Sequence, residues 1–148
     1  MATTHINQQM CFALYSASLS MTKVYKPLLS ALNLTYPQYL VLLVLWQQDQ
    51  ININTSVNFI ADQLFLDSGT LTPLLKRLEK NGFLTRQRAT DDERKVIVTL
   101  TANGKSLEAQ SERIHQQVAC STGCSLPQIN TLNDQLISLR TSLISKIT

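Results

Sequence analysis

The stretch Leu66-Asp67-Ser68-Gly69-Thr70-Leu71-Thr72-Pro73-Leu74-Leu75-Lys76-Arg77-Leu78-Glu79 decides the fold of this chain. Its leucines from Leu71 onward fall at positions i, i+3, i+4 and i+7, the pattern of one buried helix face. Asp67 or Ser68 is placed to cap the N-terminus of this helix. The opposite side carries small residues, hydroxyls and cations, which suit close approach to the base edges and phosphates of DNA. The residues predicted to make such contacts are Ser68, Thr70, Thr72, Lys76 and Arg77.

A shorter helix is predicted just before this stretch, from Val57 to Phe65, with Ile60, Ala61 and Leu64 facing inward. Only a few residues separate the two helices, and such spacing is typical of a helix-turn-helix. The polar residues 49–55 that precede both helices are expected to form a loop.

A β-hairpin is predicted directly after the helix-turn-helix. Asn81-Gly82 can end the second helix because glycine adopts positive φ without strain. Residues 83–88 and 95–100 are predicted to be two strands joined by residues 89–94, which makes the unit a winged helix. The acidic residues 91–93 can brace the hairpin cations, and an arginine at the hairpin tip can enter a minor groove. The DNA contacts predicted for this hairpin are Arg86, Arg94 and Lys95, of which Arg94 would reach the minor groove.

Long amphipathic helices are predicted at both ends of the chain. Apolar residues from Ile6 to Leu28 recur every three or four positions, and the helix is expected to continue to about Ala31, with Pro27 kinking or ending it. Residues 127–146 repeat leucine and isoleucine in a heptad-like seam that needs a partner helix. A lone domain of this size has no need of so much apolar surface, so we expect an obligate homodimer with interlocked termini.

The middle of the chain completes the predicted fold, which is mainly α with a small β-hairpin wing. Residues 38–48 are apolar nearly all round and follow a Thr35-Tyr36-Pro37 start, which predicts a central buried helix. After Thr101-Ala102-Asn103-Gly104, a helix is predicted over 105–119, followed by a break over 120–125. The expected organisation is a winged helix-turn-helix over 36–102 and a helical dimerisation region over 1–35 and 103–148, within one structural domain.

The composition is that of a globular protein. Of 148 residues, 44% are hydrophobic and 16% charged, with four glycines and four prolines, which excludes disordered and collagen-like classes. The longest apolar run, Tyr39 to Trp46, is too short for a membrane span, and no leader opens the chain, so we expect a cytoplasmic protein with no membrane partner. The net charge of +3 suits nucleic acid only where the cations cluster. Three cysteines, an odd number, argue against a structural disulfide framework.

Over nearly its full length the sequence resembles the MarR family of winged-helix repressors. The resemblance is carried by the helix over 66–79, the Asn81-Gly82-Phe83-Leu84 turn and the wing motif from Asp92 to Gly104. Within that family the chain is similar to the organic-hydroperoxide-resistance repressors, whose reactive cysteine lies in a context like Gln9-Met10-Cys11-Phe12-Ala13-Leu14-Tyr15. The resemblance implies a homodimeric repressor that releases double-stranded operator DNA after reaction with an organic hydroperoxide.

The resemblance also implies roles for particular thiols and phenols. Cys11 would be the sensing thiol, supported by Tyr25 and Tyr36 of the other subunit. Two-cysteine members of the group have a resolving cysteine near the end of the fifth helix. Cys120 matches that position, with Cys124 as a spare thiol, and the disulfide of Cys11 with Cys120 would form across the dimer.

The chemistry expected of Cys11 is that of a thiolate, the nucleophile toward a peroxide oxygen, which phenolic hydrogen-bond donors favour. The resulting sulfenic acid condenses with a second thiol to a disulfide. Cys11 lies on the apolar stripe of its helix, so we expect a buried sulfur. Its pocket, suited to alkyl or lipid hydroperoxides, would consist of Met10, Phe12, Leu14 and Met21.

Three other functions compete with a redox repressor. His115, Cys120 and Cys124 could be metal ligands, but a fourth is missing unless His5 or a partner supplies it, so no metal and no cofactor are expected. A thiol peroxidase that uses Cys11 and Cys120 is the strongest enzyme hypothesis; with only two histidines and no phosphate loop, we expect no enzyme. The third is a repressor released by a small aromatic ligand, with incidental cysteines.

Overall fold

The computed structural model describes residues 5–147 of the chain. A single 3-10 turn over Ile6–Gln8 comes first. The elements that follow are α1 (Met10–Ser30), α2 (Tyr36–Gln50), β1 (Thr55–Ser56), α3 (Val57–Leu64), α4 (Ser68–Lys80), β2 (Leu84–Arg88), β3 (Val96–Leu100), α5 (Ala102–Ser106), α6 (Glu108–Ser121) and α7 (Leu126–Ile147). The predicted fold class, mainly helical with a small β wing, is confirmed.

The chain divides into two compact units, and the division falls inside α6. One unit ends at Ser111 and contains α1 to α5 together with the sheet. The other begins at Glu112 and contains the rest of α6 and α7. Across residues 5–147, no helix combines the length and the apolarity that a bilayer span requires.

The predicted helix-turn-helix is confirmed, and both of its helices begin at a polar cap. The Ser56 hydroxyl accepts the Phe59 backbone N–H at 3.1 Å at the start of α3. Phe65 ends α3 in the left-handed conformation, with φ of 55°, and this sharp turn leads into α4. Asp67 caps α4, since its Oδ1 accepts the Thr70 backbone N–H at 2.8 Å.

The wing is a β-hairpin with a third, short strand on its edge. β2 and β3 pair antiparallel, starting with Leu84 opposite Leu100. β1 pairs with the other edge of β3, Thr55 opposite Val98, which gives the strand order β1-β3-β2. The prediction of a loop over 49–55 is therefore wrong at both ends, because α2 continues to residue 50 and Thr55 begins β1. A two-residue strand depends on a distant partner and leaves no local pattern to read.

α5 begins at Ala102, three residues before the predicted helix start at 105, and the predicted single helix is two helices, α5 and α6. The Thr101 hydroxyl accepts the Gly104 backbone N–H at 3.0 Å and donates to the Gly82 carbonyl at 2.6 Å. Gly104 is required by close packing, since a Cβ there would lie 1.9 Å from the Phe83 carbonyl oxygen. Trp46 Nε1 donates to the Gly104 carbonyl at 3.0 Å, so this turn is tied to α2.

α2 is the central helix of the first unit, as its continuous apolar sequence predicts. Its start is fixed by the Thr35 backbone N–H, which donates to Gln38 Oε1 at 2.9 Å. The Tyr39 hydroxyl lies 2.9 Å from Ser111 Oγ and ties the helix to the start of α6. The buried residues of α2 are Gln38, Tyr39, Val41, Leu42, Leu45, Trp46 and Gln48.

The two terminal helices leave most of their apolar side chains exposed. α1 continues through Pro27 to Ser30 and buries Tyr25 and Leu29 near its C-terminal end. Over the whole of Leu126–Ile147, α7 has no buried residue. The exposed large apolar residues of these helices are Met10, Leu14, Tyr15, Leu19, Met21, Leu126, Leu132, Leu136, Ile137, Leu143 and Ile147. Several large apolar side chains exposed on one helix mark it as an interaction site.

Candidate DNA-binding surface and thiol sites

The outer face of α4 carries the residues predicted to contact the major groove. Leu71, Leu75 and Leu78 are buried and fix which side of the helix turns outward. Leu74, predicted to share this stripe, is half-buried. The exposed candidates are Ser68, Thr70, Lys76 and Arg77, and Thr72 is half-buried.

Two hydroxyls of this face are hydrogen-bonded within the helix-turn-helix itself. Thr70 Oγ1 donates to Asp67 Oδ2 at 2.9 Å, and Thr72 Oγ1 donates to the Ser68 carbonyl at 2.7 Å. The backbone and hydroxyl bonds from Thr70 hold the pKa of the Asp67 carboxyl below its usual range, so the cap stays ionised at neutral pH. Both threonine rotamers are thereby fixed before any DNA is bound.

The loop of the hairpin holds its cations through short local bonds. The Arg94 backbone N–H donates to Asp92 Oδ1 at 3.0 Å, and its side chain is exposed. Arg88 Nη1 donates to the Glu93 carbonyl at 3.2 Å. Asp92 thus holds the backbone of Arg94, whereas the prediction concerned bracing of its charged side chain. Lys95, also exposed, completes the predicted cations of the loop.

Arg86 differs from the other predicted DNA contacts because it is engaged by Glu79. Nη2 and Nε of Arg86 donate to Glu79 Oε2 at 2.8 and 3.1 Å, and its backbone N–H donates to Oε1 at 2.9 Å. These bonds, the guanidinium first among them, lower the pKa of the Glu79 carboxyl. Sequence reasoning missed Glu79. The signal that could have found it is an acidic residue in the last turn of a helix, where the helix dipole disfavours negative charge.

A groove of about 190 Å³ brings four of the predicted residues together. Thr72 of α4 lies on one wall, and Arg86, Arg94 and Lys95 of the hairpin lie on the other. The remaining lining residues are Ser56, Val57, Asn58, Leu75 and Val96. Ser56 and Asn58, which sequence reasoning did not select, add polar groups from the start of α3.

Cys11 is a free, exposed thiol at the second residue of α1. The prediction of a buried sulfur is wrong for the single chain, in which Met10 is 63% and Leu14 is 41% exposed. Met21 is also exposed and Phe12 is half-buried, so residues 5–147 of one chain form no closed pocket around the sulfur. The periodicity correctly identifies an apolar stripe, but this unit does not cover its N-terminal part.

Cys120, in the last turn of α6, and Cys124, three residues beyond its end, are free, exposed thiols. Gly123, with φ of 68°, ends the helix, and its N–H donates to the Cys120 carbonyl at 3.2 Å. Cys120 lines an open cavity together with Arg113, which lies on the same side of α6. Cys124 Sγ lies 3.6 Å from the Thr122 carbonyl oxygen. Of the two thiols, Cys120 is therefore the one that shares this cavity with a cation.

Tyr25 and Tyr36, the predicted thiolate-supporting residues, are brought together by the packing of α1 on α2. Their ring centroids lie 4.6 Å apart, and Tyr39 adds a third ring 5.7 Å from Tyr25. Burial raises the pKa of Tyr25 to about 12 and also raises the pKa of Tyr36, so both phenols are protonated donors at neutral pH. Cys11 and Tyr25 are fourteen residues apart in one helix, about 21 Å along its axis, and do not meet within a chain.

Within residues 5–147, no three histidine, cysteine, aspartate or glutamate side chains cluster as a metal site would require. The alternative of a zinc site at His115, Cys120 and Cys124 thus finds no set of ligands in the described part of the chain.

Comparison with known proteins places the chain among transcriptional regulators. The family model described as "Transcriptional regulator SarA/Rot" matches residues 23–111. The organic hydroperoxide resistance transcriptional regulator of Bacillus subtilis (strain 168) is 42% identical over 141 residues, which cover 95% of this chain and 93% of that protein.

Solved structures agree with the sequence comparison. Reduced AbfR bound to DNA superposes with a TM-score of 0.74 at 34% identity over 94% of each chain. Disulfide-formed AbfR, a protein known from Staphylococcus epidermidis, gives 0.63 at 35% identity over 90% of this chain and 91% of that one. The chain therefore belongs to the SarA/Rot family of transcriptional regulators and is a DNA-binding regulator of the winged-helix MarR/SarA type.

Proposed function

We propose that this regulator is a repressor that senses organic hydroperoxides through Cys11 and releases its operator when oxidised. The observation that carries the proposal is that Cys11 is a free, exposed thiol on an apolar helix face. Two relatives support it. The Bacillus subtilis protein is named for organic hydroperoxide resistance, and AbfR has structures in a reduced, DNA-bound form and in a disulfide form.

The active species is a homodimer built from the terminal helices. Leu132, Leu136 and Leu143 repeat along one exposed face of α7, and Met10 and Leu14 are exposed on α1. Covering such side chains yields about 1.5–3 kcal/mol each for full burial. Residues 1–35 and 103–148 form this dimerisation region, and residues 36–102 form the DNA-binding region.

The dimer also completes the sensing site. Tyr25 of one chain lies too far along α1 to reach its own Cys11. The Tyr25–Tyr36 pair of the partner subunit supplies the phenolic donors beside Cys11, and the partner's helices cover the exposed stripe. The resulting apolar surroundings favour alkyl hydroperoxides over hydrogen peroxide.

DNA binding places one recognition helix, α4, in each of two successive major grooves about 34 Å apart. Ser68, Thr70 and Thr72 reach base edges or phosphates from the N-terminal half of α4, and its cations Lys76 and Arg77 contact phosphates. The hairpin follows the backbone, with Arg94 entering the flanking minor groove beside Lys95.

Oxidation proceeds in two balanced steps. The Cys11 thiolate attacks one peroxide oxygen, the O–O bond breaks, the alcohol leaves, and Cys11 becomes a sulfenic acid. The Cys120 thiol of the other subunit then attacks the Cys11 sulfur, which forms the disulfide and releases water. The hydroperoxide gains two electrons, and the two thiols supply them.

Disulfide formation is the step that releases DNA. The two Cα atoms must approach within about 7 Å. In a reduced dimer that holds these thiols farther apart, the helices that carry Cys11 and Cys120 move on oxidation. Because both terminal regions connect to the winged modules, this movement rotates the modules and breaks the spacing of the two recognition helices.

Mass-spectrometric mapping of disulfides tests the proposed pairing. The wild-type dimer is treated with cumene hydroperoxide beside the matched variants Cys120→Ser and Cys124→Ser, which each lose one of two neighbouring exposed thiols. We expect an intersubunit disulfide of Cys11 with Cys120 in the wild type and in Cys124→Ser, and its loss in Cys120→Ser. A cross-link lost only in Cys124→Ser would show that Cys124 resolves the sulfenic acid and that the assignment of Cys120 is wrong.

A further inference from the structure

One carboxylate joins the recognition helix to the wing. Glu79 lies in the last turn of α4, and both of its oxygens accept bonds from Arg86 in β2. Three donors of one residue meet this carboxylate: Nη2 at 2.8 Å, the backbone N–H at 2.9 Å and Nε at 3.1 Å. Charge-assisted bonds with a forked guanidinium are among the strongest side-chain bonds in proteins, and they are directional.

The covalent link between the same two elements is short. α4 ends at Lys80 and β2 begins at Leu84. Backbone bonds from Gly82 and Phe83 to the last turn of α4, together with the bond from the Thr101 hydroxyl to the Gly82 carbonyl, hold this turn. These bonds act at the turn itself, whereas the Glu79–Arg86 bonds join the helix to the third residue of β2. The Glu79–Arg86 bonds are therefore a further restraint on the angle at which the hairpin leaves the helix.

The Arg86–Glu79 ion pair is also partly shielded from solvent. The side chains of Arg86 and Glu79 are 24% and 35% exposed, so solvent screens this ion pair less than it screens a fully exposed one. Arg86 lies opposite Val98 in β3, and Val98 is buried, so the backbone of Arg86 in the edge strand β2 is paired with the central strand of the sheet. A change at Glu79 is thus transmitted to the whole hairpin.

We propose that Glu79 and Arg86 are positioning residues for DNA binding, which lock the wing against the recognition helix so that the major-groove and minor-groove contacts engage together. Arg86 then acts through Glu79 and is not a phosphate contact. This inference rests on the operator contacts proposed above and is independent of the redox switch.

Operator affinity measured over a series of salt concentrations separates the two roles of Arg86. The probe is a labelled DNA duplex that the reduced wild-type dimer selects from a random-sequence pool. We call it the selected duplex. The variants are Glu79→Gln, Arg86→Met, Arg86→Lys and the double variant Glu79→Gln/Arg86→Met. Lys76→Met is the control for loss of a phosphate contact, which lowers the slope of log K against log salt by about 0.9.

A positioning role predicts that Glu79→Gln and Arg86→Met each weaken binding by about tenfold with no change in salt slope. The double variant is expected to be no more than about threefold weaker than either single variant, because coupled residues are not additive. Arg86→Lys should behave like Arg86→Met, since an ammonium group does not reproduce the forked geometry. Glu79→Gln is the most decisive of these variants. It removes a negative charge near the DNA, which would strengthen binding if charge alone determined the affinity, whereas the positioning role predicts weaker binding.

Hydroxyl-radical footprints of the same complexes give a second measurement that does not depend on stability. We expect the variants to lose protection of the sugars along the flanking minor groove and to keep protection of the sugars that border the α4 half-sites. The proposal is overturned if Glu79→Gln binds as well as the wild type while Arg86→Met alone lowers the salt slope. Failure of the wild type to select any duplex would instead contradict the proposed function.

Discussion

The ring centroids of Tyr25 and Tyr36 lie 4.6 Å apart between α1 and α2, with the rings tilted by 34°, and burial raises the pKa of both phenols. Each hydroxyl is therefore protonated at neutral pH and can donate a hydrogen bond to an anion. In the proposed dimer this pair meets the partner's Cys11, so two residues with no bond to sulfur within one chain become its activating groups.

Replacing either phenol should slow the oxidation of Cys11. We expect Tyr25→Phe and Tyr36→Phe each to lower the second-order rate with cumene hydroperoxide by about tenfold, because a hydrogen bond to a charged atom contributes about 1.5 kcal/mol or more. Stopped-flow detection of the sulfenic acid measures the rate. Tyr39→Phe is the control, since the Tyr39 hydroxyl is bonded to Ser111. Equal rates in all three variants and the wild type would remove the tyrosines from the mechanism.

Gly104 should tolerate no side chain. A Cβ at this position would lie 1.9 Å from the Phe83 carbonyl oxygen and 2.9 Å from the Phe83 carbonyl carbon, so the backbone must shift. We expect Gly104→Ala to lower the free energy of unfolding by about 3 kcal/mol, at the upper end of overpacking effects. Urea denaturation followed by circular dichroism measures the loss. Asn103→Ala, an exposed neighbour in α5, should be nearly neutral, and an equally small effect of Gly104→Ala would contradict the packing described for this turn.

The exposed seam of α7 should hold the dimer together. Leu136 is 40% exposed and lies between Leu132 and Leu143 on the same face. We expect Leu136→Glu to raise the dimer dissociation constant by at least about a hundredfold, because it removes a buried apolar contact and places a charge in its site. Analytical ultracentrifugation measures the constant. Thr141→Glu places the same charge on the opposite side of the helix and should leave the dimer intact; the reverse result would assign the interface to the other face of α7.

Much of the winged unit could be predicted from local sequence. The leucine stripe from Leu71 to Leu78 and the capping side chain of Asp67 are signals that lie within one turn of the element they define, so α4 was located to within a residue or two. Strand β1 could not be predicted in the same way, since Thr55 is extended only because it pairs with Val98.

The errors in the rest of the chain also have physical causes. Asn103-Gly104 has the composition of a helix stop, but the cap from Thr101 and the close approach of Phe83 make it the start of α5. The stripe that contains Cys11 was correctly identified as apolar, yet periodicity cannot say whether the same chain or a second copy covers it. The Glu79–Arg86 pair was missed because its members belong to elements of different periodicity.

The central claim is that oxidation of Cys11 releases DNA. It is tested most directly by adding an organic hydroperoxide to the wild type and to Cys11→Ser, each bound to the selected duplex. The account predicts that reduced wild type and Cys11→Ser bind the duplex equally, and that cumene hydroperoxide releases only the wild type, at one equivalent per subunit. Release of the Cys11→Ser dimer by the same hydroperoxide, or a wild type that stays bound with Cys11 unmodified, would contradict it.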